Sequence, residues 1–274
     1  MNANLITGLS YPDGIAVSGG HLFVANAGTG TIGEYTTSGA TVNASLITGL
    51  AQPWGIAISG PDLFVTQPYS GKIGEYTTSG TTVNASLITG LPQPRGIAVS
   101  GSYIYAVQGG SIGKWTTSGA TVNYYLVLGG YQLSAPVGLA VSGSDLFVVS
   151  NGTDSVGEYT TSGDTVNPVL FSGLINPNGI AVSGSSLFVT NYASPSYVGE
   201  YSTSGAAVNT SLFSTPDLPY GVAAISDVPE PGSVSILGLG SLGLLARRRR
   251  GSMLTNCMIW CPASVEIQRE AAGK

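Results

Sequence analysis

The sequence predicts an all-β fold, a β-propeller of four-stranded blades, five complete plus a partial sixth, followed by a short C-terminal hydrophobic helix. Three observations predict it. A phrase recurs at a fixed period, each period divides into four short strand-like runs, and the composition is rich in turn residues and poor in charge. The phrase is Pro-x-Gly-(Ile/Val/Leu)-Ala, with its glycines at Gly14, Gly55, Gly96, Gly138, Gly179 and Gly221. Successive copies lie 41 or 42 residues apart. A second phrase, Thr-Ser-Gly-x-x-Val-Asn, places Gly39, Gly80, Gly119, Gly163 and Gly205 at a similar spacing. Four antiparallel strands in roughly 40–45 residues is the period of a propeller blade. Shorter solenoid repeats do not fit, and a β-sandwich has no need of near-identical units.

The elements of one unit follow in order. Residues 14–18 (GIAVS) form the first strand, 21–26 (HLFVAN) the second, 31–37 (TIGEYTT) the third and 44–48 (ASLIT) the fourth. The intervening SGG, AGTG and SGATVN carry hairpin-turn chemistry. Each Pro of Pro-x-Gly follows a fourth strand, where a missing N–H does little harm. Leu22, Phe23 and Val24 are consecutive rather than alternating with polar residues. Consecutive apolar residues fit a strand covered on both faces, as a blade is by its neighbours. No helical periodicity interrupts the repeats.

Composition narrows the class. Of 274 residues, 43% are apolar and only 8% charged, against about 25% charged in typical domains. Disorder goes with low hydrophobicity and high net charge, so this chain is folded and turn-rich. Residues 1–227 carry eleven Asp and Glu against Lys72, Arg95 and Lys114, eight charges negative. A phosphate backbone would be repelled, which argues against nucleic acid as a partner. Both cysteines, Cys257 and Cys261, lie in the last 24 residues, so no disulfide framework is expected in the repeats.

The repeats resemble the NHL-repeat family of β-propellers over residues 2–226. The third-strand phrase Ile-Gly-Glu-Tyr, at 32–35 and 73–76, carries the likeness. The opening residues Met1 to Thr7 align with a fourth strand, and Gly221 to Ile225 with a first. A sixth blade would then draw strands from both ends and lack its second and third, so an upstream piece holding two strands and a secretion signal is expected. Closing the ring with strands from both ends removes open edges.

The end of the chain differs in kind. Val234 to Ala246 is a 13-residue uncharged run, as a helix about 20 Å long against a hydrocarbon layer of about 30 Å. Arg247, Arg248, Arg249 and Arg250 follow it and would hold that end on the cytoplasmic side. Pro229, Glu230 and Pro231 precede it. Together these resemble a PEP-CTERM sorting signal. The resemblance implies export, transient inner-membrane anchoring, and cleavage near Pro229–Pro231 by an exosortase-type enzyme. It further implies release to the cell surface or matrix of a Gram-negative-type bacterium, often an exopolysaccharide producer. The span is shorter than usual, and 24 residues follow the arginines where such signals normally end within a few. The expected division is 1–227 propeller, 228–250 sorting and anchor segment, and 251–274 a polar tail.

Candidate site residues come from comparing the repeats with one another. The residue between Pro and Gly is Asp13, Trp54, Arg95, Val137, Asn178 and Tyr220. Its flanks barely change while it samples acid, indole, guanidinium, alkyl, amide and phenol. Lying just before the innermost strand, it is expected to ring one mouth of the central channel. It is either an unconstrained loop position or a ligand-reading ring, and these side chains would suit a polysaccharide by stacking and hydrogen bonding.

Other signals carry less. The glycines Gly238, Gly240 and Gly243 match a dinucleotide fingerprint but lack its strand and βαβ unit, so no cofactor is expected. Two cysteines without further ligands make a poor zinc site, and no metal is expected. Glu34, Glu75, Glu158 and Glu200, with Lys114 in the third unit, read as a structural ring. Asn26, Gln67, Gln108, Asn151 and Asn191 read as second-strand ends that cap inter-blade loops. The sequons at Asn43, Asn84, Asn151 and Asn209 read as chance products of an Asn-, Ser- and Thr-rich repeat. The single histidine, His21, starts a second strand. Lyase propellers of the virginiamycin B lyase type resemble this repeat but rely on histidines and a metal. The functional expectation is thus a non-enzymatic, exported binding or structural protein whose partners are a polysaccharide or surface proteins, with a degenerate lyase or hydrolase propeller as the alternative.

Overall fold

The computed structural model describes residues 5–130, 133–215, 219–225 and 257–262. Five four-stranded antiparallel sheets follow one another along the chain, each a meander in sequence order. The first holds β1 (Pro12–Ser18), β2 (His21–Asn26), β3 (Thr31–Thr36) and β4 (Thr41–Ile47). The second holds β5 (Ile56–Ser59), β6 (Asp62–Gln67), β7 (Lys72–Thr77) and β8 (Thr82–Ile88). The third holds β9 (Ile97–Ser100), β10 (Tyr103–Gln108), β11 (Ser111–Thr116) and β12 (Thr121–Val127). The fourth holds β13 (Pro136–Ser142), β14 (Asp145–Ser150), β15 (Ser155–Thr160) and β16 (Thr165–Ser172). The fifth holds β17 (Pro177–Ser183), β18 (Ser186–Asn191), β19 (Ser196–Ser202) and β20 (Ala207–Thr215). β21 (Pro219–Ile225) pairs antiparallel with β22 (Cys257–Pro262) in a further two-stranded sheet. Among the described residues the one helical turn is the 3-10 turn Asn151–Thr153. The expected C-terminal helix lies outside the described residues, as do Pro229 to Pro231 and Arg247 to Arg250.

The strands match the sequence expectation closely except at the fourth, which starts at Thr41 rather than Ala44. The turn before it is tighter than its six-residue phrase suggests. Thr36 N–H donates to Ala40 O at 2.8 Å, and the Thr36 hydroxyl accepts from Ala40 N–H at 3.0 Å. Gly39 takes the left-handed conformation that closes such a turn (φ 91°). Thr41, Val42 and Asn43 are therefore released to the strand. The same construction recurs at Gly80, Gly119, Gly163 and Gly205. In each, a β-carbon would strike the carbonyl of a leucine one blade earlier: Leu46, Leu87, Leu126 and Leu170. Gly39 meets Leu5 in the same way. The second phrase thus marks a blade-to-blade contact as well as a turn.

The core is a circle of layers. Leu22, Phe23 and Val24 are all buried and face alternate sides. Leu22 and Val24 pack with Leu5, Ile15, Tyr35 and Ala223. Phe23 joins Ile32 and Ile47 against Ile56, Leu63, Val65 and Tyr76 of the second blade. Equivalent layers separate the second, third, fourth and fifth blades. The last sets Phe188 and Val198 of the fifth blade against Val222 of β21. The first strands sit side by side around the centre, β21 between β17 and β1. Within Ile-Gly-Glu-Tyr, the tyrosine ring lies over the glycine two residues back, on the same face of the strand.

Candidate functional site at one mouth of the channel

The six Pro-x-Gly segments form a closed ring. A β-carbon on Gly14 would overlap the carbonyl oxygen of Trp54, the varied residue of the next unit. Gly55 meets Arg95 O in this way, Gly96 meets Val137 O, and Gly138 meets Asn178 O. Gly179 meets Tyr220 O, and Gly221 returns to Asp13 O. This close approach is why each position is glycine. Hydrogen bonds reinforce it. Gly96 N–H donates to Val137 O at 2.9 Å. In the second blade the buried Thr66 hydroxyl stands between, accepting from Gly55 N–H at 2.8 Å and donating to Arg95 O at 2.7 Å. Thr190 serves the fifth blade similarly, accepting from Gly179 N–H at 2.7 Å and reaching Tyr220 O at 3.4 Å. The main chain makes all of these contacts, except for the two threonines, so the varied side chains carry no part of the ring.

Four of those side chains converge. The Arg95 guanidinium carbon lies 4.9 Å from the centre of the Trp54 ring, a cation–π distance. Trp54 meets Tyr220 edge to face, with centroids 6.3 Å apart and planes at 87°. Asp13 shares the site. Burial pushes its carboxyl up from 3.8 to about 7, although the Arg95 charge pulls the other way. The Tyr220 phenol is also raised, first by burial, then by Asp13 and Tyr192. The two remaining members go elsewhere. Val137 is buried in the layer between the fourth and fifth blades. Asn178 lines a cleft of about 190 Å³ with Asn151, Asn176, Tyr192, Pro219 and Tyr220. A larger hollow of about 500 Å³ lies on the outer strands of the third and fourth blades, by Leu126, Tyr159 and Pro168, and touches none of the ring.

A second varied position on this mouth escaped the sequence reading. The residue before Pro in the first five segments is Tyr11, Gln52, Gln93, Ala135 and Asn176, and all five are left-handed, with φ between 44° and 50°. Non-glycine residues pay about 1–2 kcal/mol for that conformation. The shape is held by main-chain bonds: Tyr11, Ala135 and Asn176 carbonyls accept from Ala27, Asn151 and Tyr192 N–H. The sequence signal was available, since this position also varies, with four residue types in these five segments. Asn26, Gln67 and Asn191 do hold inter-blade loops, their side-chain oxygens accepting from Ser10, Ala51 and Ile175 N–H. Asn151 does not belong with them. Register places Ser150 opposite Pro136, as Asn26 is opposite Pro12, and Asn151 one residue beyond.

The recurring acidic residues lie toward the other end. His21, opposite Ser18 at the far turn of the β1–β2 hairpin, pairs with Glu34 at 2.7 Å. Glu200 accepts from the Ser186 hydroxyl at 3.1 Å. Glu75 and Glu158 are raised by burial and then by Asp62 and Asp145. In the third blade Lys114 lies 4.3 Å from the Tyr103 ring and donates to Thr161 O of the fourth blade at 2.9 Å. Among the described residues no three His, Cys, Asp or Glu side chains gather as a metal site.

Comparison with known proteins agrees with the fold. No curated protein sequence matches the chain. A catalytically inactive virginiamycin B lyase from Staphylococcus aureus, solved with quinupristin, superposes with a TM-score of 0.60 at 23% identity, over 78% of this chain and 74% of that one. A gluconolactonase from Xanthomonas campestris superposes at 0.66 and 14% identity, over 80% and 81%. A nidogen/laminin complex gives 0.63 and 20%, over 77% and 84%. At such identities the likeness is one of fold. Among the described residues no helix is long and apolar enough to cross a membrane. Residues 227–250 match the PEP-CTERM protein-sorting motif, which implies export with transient anchoring and processing by an exosortase. The chain is therefore a β-propeller of five four-stranded blades followed by a PEP-CTERM sorting motif.

Proposed function

We propose that this is an exported surface or matrix protein whose propeller binds a polysaccharide, without catalysis, at the channel mouth bearing Trp54. The observation that carries the reading is the convergence of Trp54, Tyr220, Arg95 and Asp13 on one mouth, on a main-chain ring that does not use their side chains. An indole beside a guanidinium, a phenol and a carboxyl supplies a stacking face with donors and acceptors around it, the mixture a glycan needs. The division is residues 1–227 as binding propeller, 228–250 as sorting and anchor segment, and 251–274 as tail. The ring is closed by a sixth, incomplete blade drawn from both ends. Leu5, which meets Gly39 as Leu46 meets Gly80, supports its outer strand, and β21 between β17 and β1 supports its inner one.

The test is retention of the full chain on the producing cell's own exopolysaccharide. Trp54→Ala is expected to lose most of that retention while remaining folded, with only the small fall in unfolding temperature that the lost Arg95 and Tyr220 contacts imply. Retention equal to that of the unaltered chain overturns the reading. Sorting is tested separately by mapping the mass of the C-terminus after cell fractionation. A chain ending near Pro229–Pro231 outside the cell is expected, and an intact cytoplasmic chain refutes it. The shared fold with virginiamycin B lyase and gluconolactonase favours a second reading, a degenerate lyase or hydrolase propeller. Incubation with quinupristin or a sugar lactone, followed by mass analysis, separates the two: ring opening supports catalysis.

A further inference from the structure

We infer that the cleft between the fifth blade and β21 is a subsite for one neutral, hydroxyl-rich pyranose unit, extending the glycan reading of the channel mouth and resting on it. Size is the first argument. Its 190 Å³ equals roughly six waters' share of liquid volume. That holds a single sugar ring and falls short of the 300–1,000 Å³ of larger ligand sites.

Chemistry is the second. The lining is three amides, two phenols and a proline, with no ionised side chain. Amides offer donors and acceptors side by side, as neighbouring sugar hydroxyls require, while an anionic ligand would find no countercharge. These groups are also available. Asn151 commits its amide nitrogen to Pro177 O at 3.1 Å, which leaves its oxygen to accept. Among the described residues, the Asn178 amide and the Tyr192 and Tyr220 hydroxyls have no hydrogen-bond partner. Tyr192 is 47% exposed, and Tyr220, in contact with Trp54, continues the surface to the mouth.

Preorganisation is the third. Asn176 is held left-handed (φ 44°) by hydrogen bonds at both its N–H and its carbonyl. Its N–H donates to Asp154 Oδ1 at 2.9 Å and its carbonyl accepts from Tyr192 N–H at 3.3 Å. The cleft thus exists before a ligand arrives, which lowers the ordering cost of binding.

The experiment is saturation-transfer NMR and titration of the full chain with methyl glycosides of glucose, galactose and mannose, and with glucuronate as the anionic counterpart. At least one neutral glycoside is expected to bind. Asn178→Leu and Tyr192→Ala should each weaken it about tenfold, since each removes one or two hydrogen bonds or a stacking wall. Urea unfolding checks that each variant remains folded; the fourth blade already carries an apolar residue, Val137, at the position equivalent to Asn178. The inference is overturned if no neutral glycoside binds, if glucuronate binds more tightly, or if both variants bind like the unaltered chain. The two readings fail separately. Trp54→Ala losing polysaccharide while Asn178→Leu keeps full glycoside affinity removes the subsite alone. Asn178→Leu losing glycoside while Trp54→Ala keeps polysaccharide removes the Trp54 reading and leaves the subsite.

Discussion

Replacing Asp13 with Asn should stabilise this protein, and only above a definite pH. Asn keeps the shape of a protonated carboxyl and cannot ionise. In the folded chain burial moves the Asp13 carboxyl from 3.8 to about 7, despite Arg95. Each pH unit of displacement corresponds to about 1.36 kcal/mol, so ionised Asp13 costs the fold at most about 4 kcal/mol at alkaline pH. Asp13 is half-buried rather than sealed, and water over its exposed part reduces that ceiling to an expected value of about 2–3 kcal/mol. The folded group titrates above the unfolded one, so between about pH 4 and 7 the folded state binds the extra proton. Its contribution to stability is therefore full below about pH 4, falls as pH rises through 7, and is gone above about 8.

The assay is urea unfolding of the full chain and of Asp13→Asn at fixed pH values from 4 to 9. Comparing the two proteins cancels every other carboxylate. The curves should coincide near pH 4 and separate to about 2–3 kcal/mol by pH 8, with the variant the more stable. Parallel curves across the range refute the reasoning. A variant less stable at pH 8 refutes it more sharply, because Asp13 would then be an ionised partner of Arg95 that strengthens the fold. A carboxyl whose ionisation costs stability is the kind of group that the proposed binding site would use.

Three further outcomes follow from the ring and the blade contacts. Gly96→Ala sets a β-carbon against Val137 O, and should cost about 1–3 kcal/mol by the same urea assay; no change would mean the ring can widen freely. Thr66→Val removes the hydroxyl between Gly55 N–H and Arg95 O, and should cost about 1–2 kcal/mol. The third blade has Val107 at this position and bonds Gly96 directly to Val137 O, so a larger loss would show that the second blade cannot adopt that arrangement. Lys114→Met breaks the tie to Thr161 O and the contact with the Tyr103 ring, and should cost about 1 kcal/mol; thermal unfolding unchanged within error would show the tie to be incidental.

The fold was legible because its demands repeat. Five copies of a glycine that must pass a leucine carbonyl, and six that must pass the next unit's carbonyl, leave the same letters at the same spacing. The consecutive Leu22, Phe23 and Val24 announce two buried faces. The fourth strand was misplaced by three residues because Thr41, Val42 and Asn43 are polar or exposed, and their membership is decided by hydrogen bonds across the Thr36–Ala40 turn. The site was half legible. Variation between Pro and Gly located the ring, but not that Val137 is buried while Asn178 turns to a cleft. Those fates depend on which residues the adjoining loops supply. Nor did the sequence display the left-handed Tyr11 and Asn176, because a residue before proline is ordinarily extended and only the surrounding main-chain bonds reverse that preference.

The division of labour at the mouth follows from where its bonds are made. A repeat that closed its ring through side chains would fix those side chains and have none free to vary. Here glycine and carbonyl close the ring at every unit, and a threonine assists at two. The Pro-x-Gly side chain can then be an acid, an indole, a guanidinium or a phenol without disturbing its neighbours. The residue before proline gains the same freedom, since its conformation is also held by main-chain bonds. A free position between Pro and Gly on six segments, with a second before the proline on the five where it is described, amounts to an adjustable surface carried on a repeated frame. Such a surface can acquire specificity by substitution alone, and in the proposed binding reading the half-buried Asp13 beside Trp54, Arg95 and Tyr220 is where it would do so.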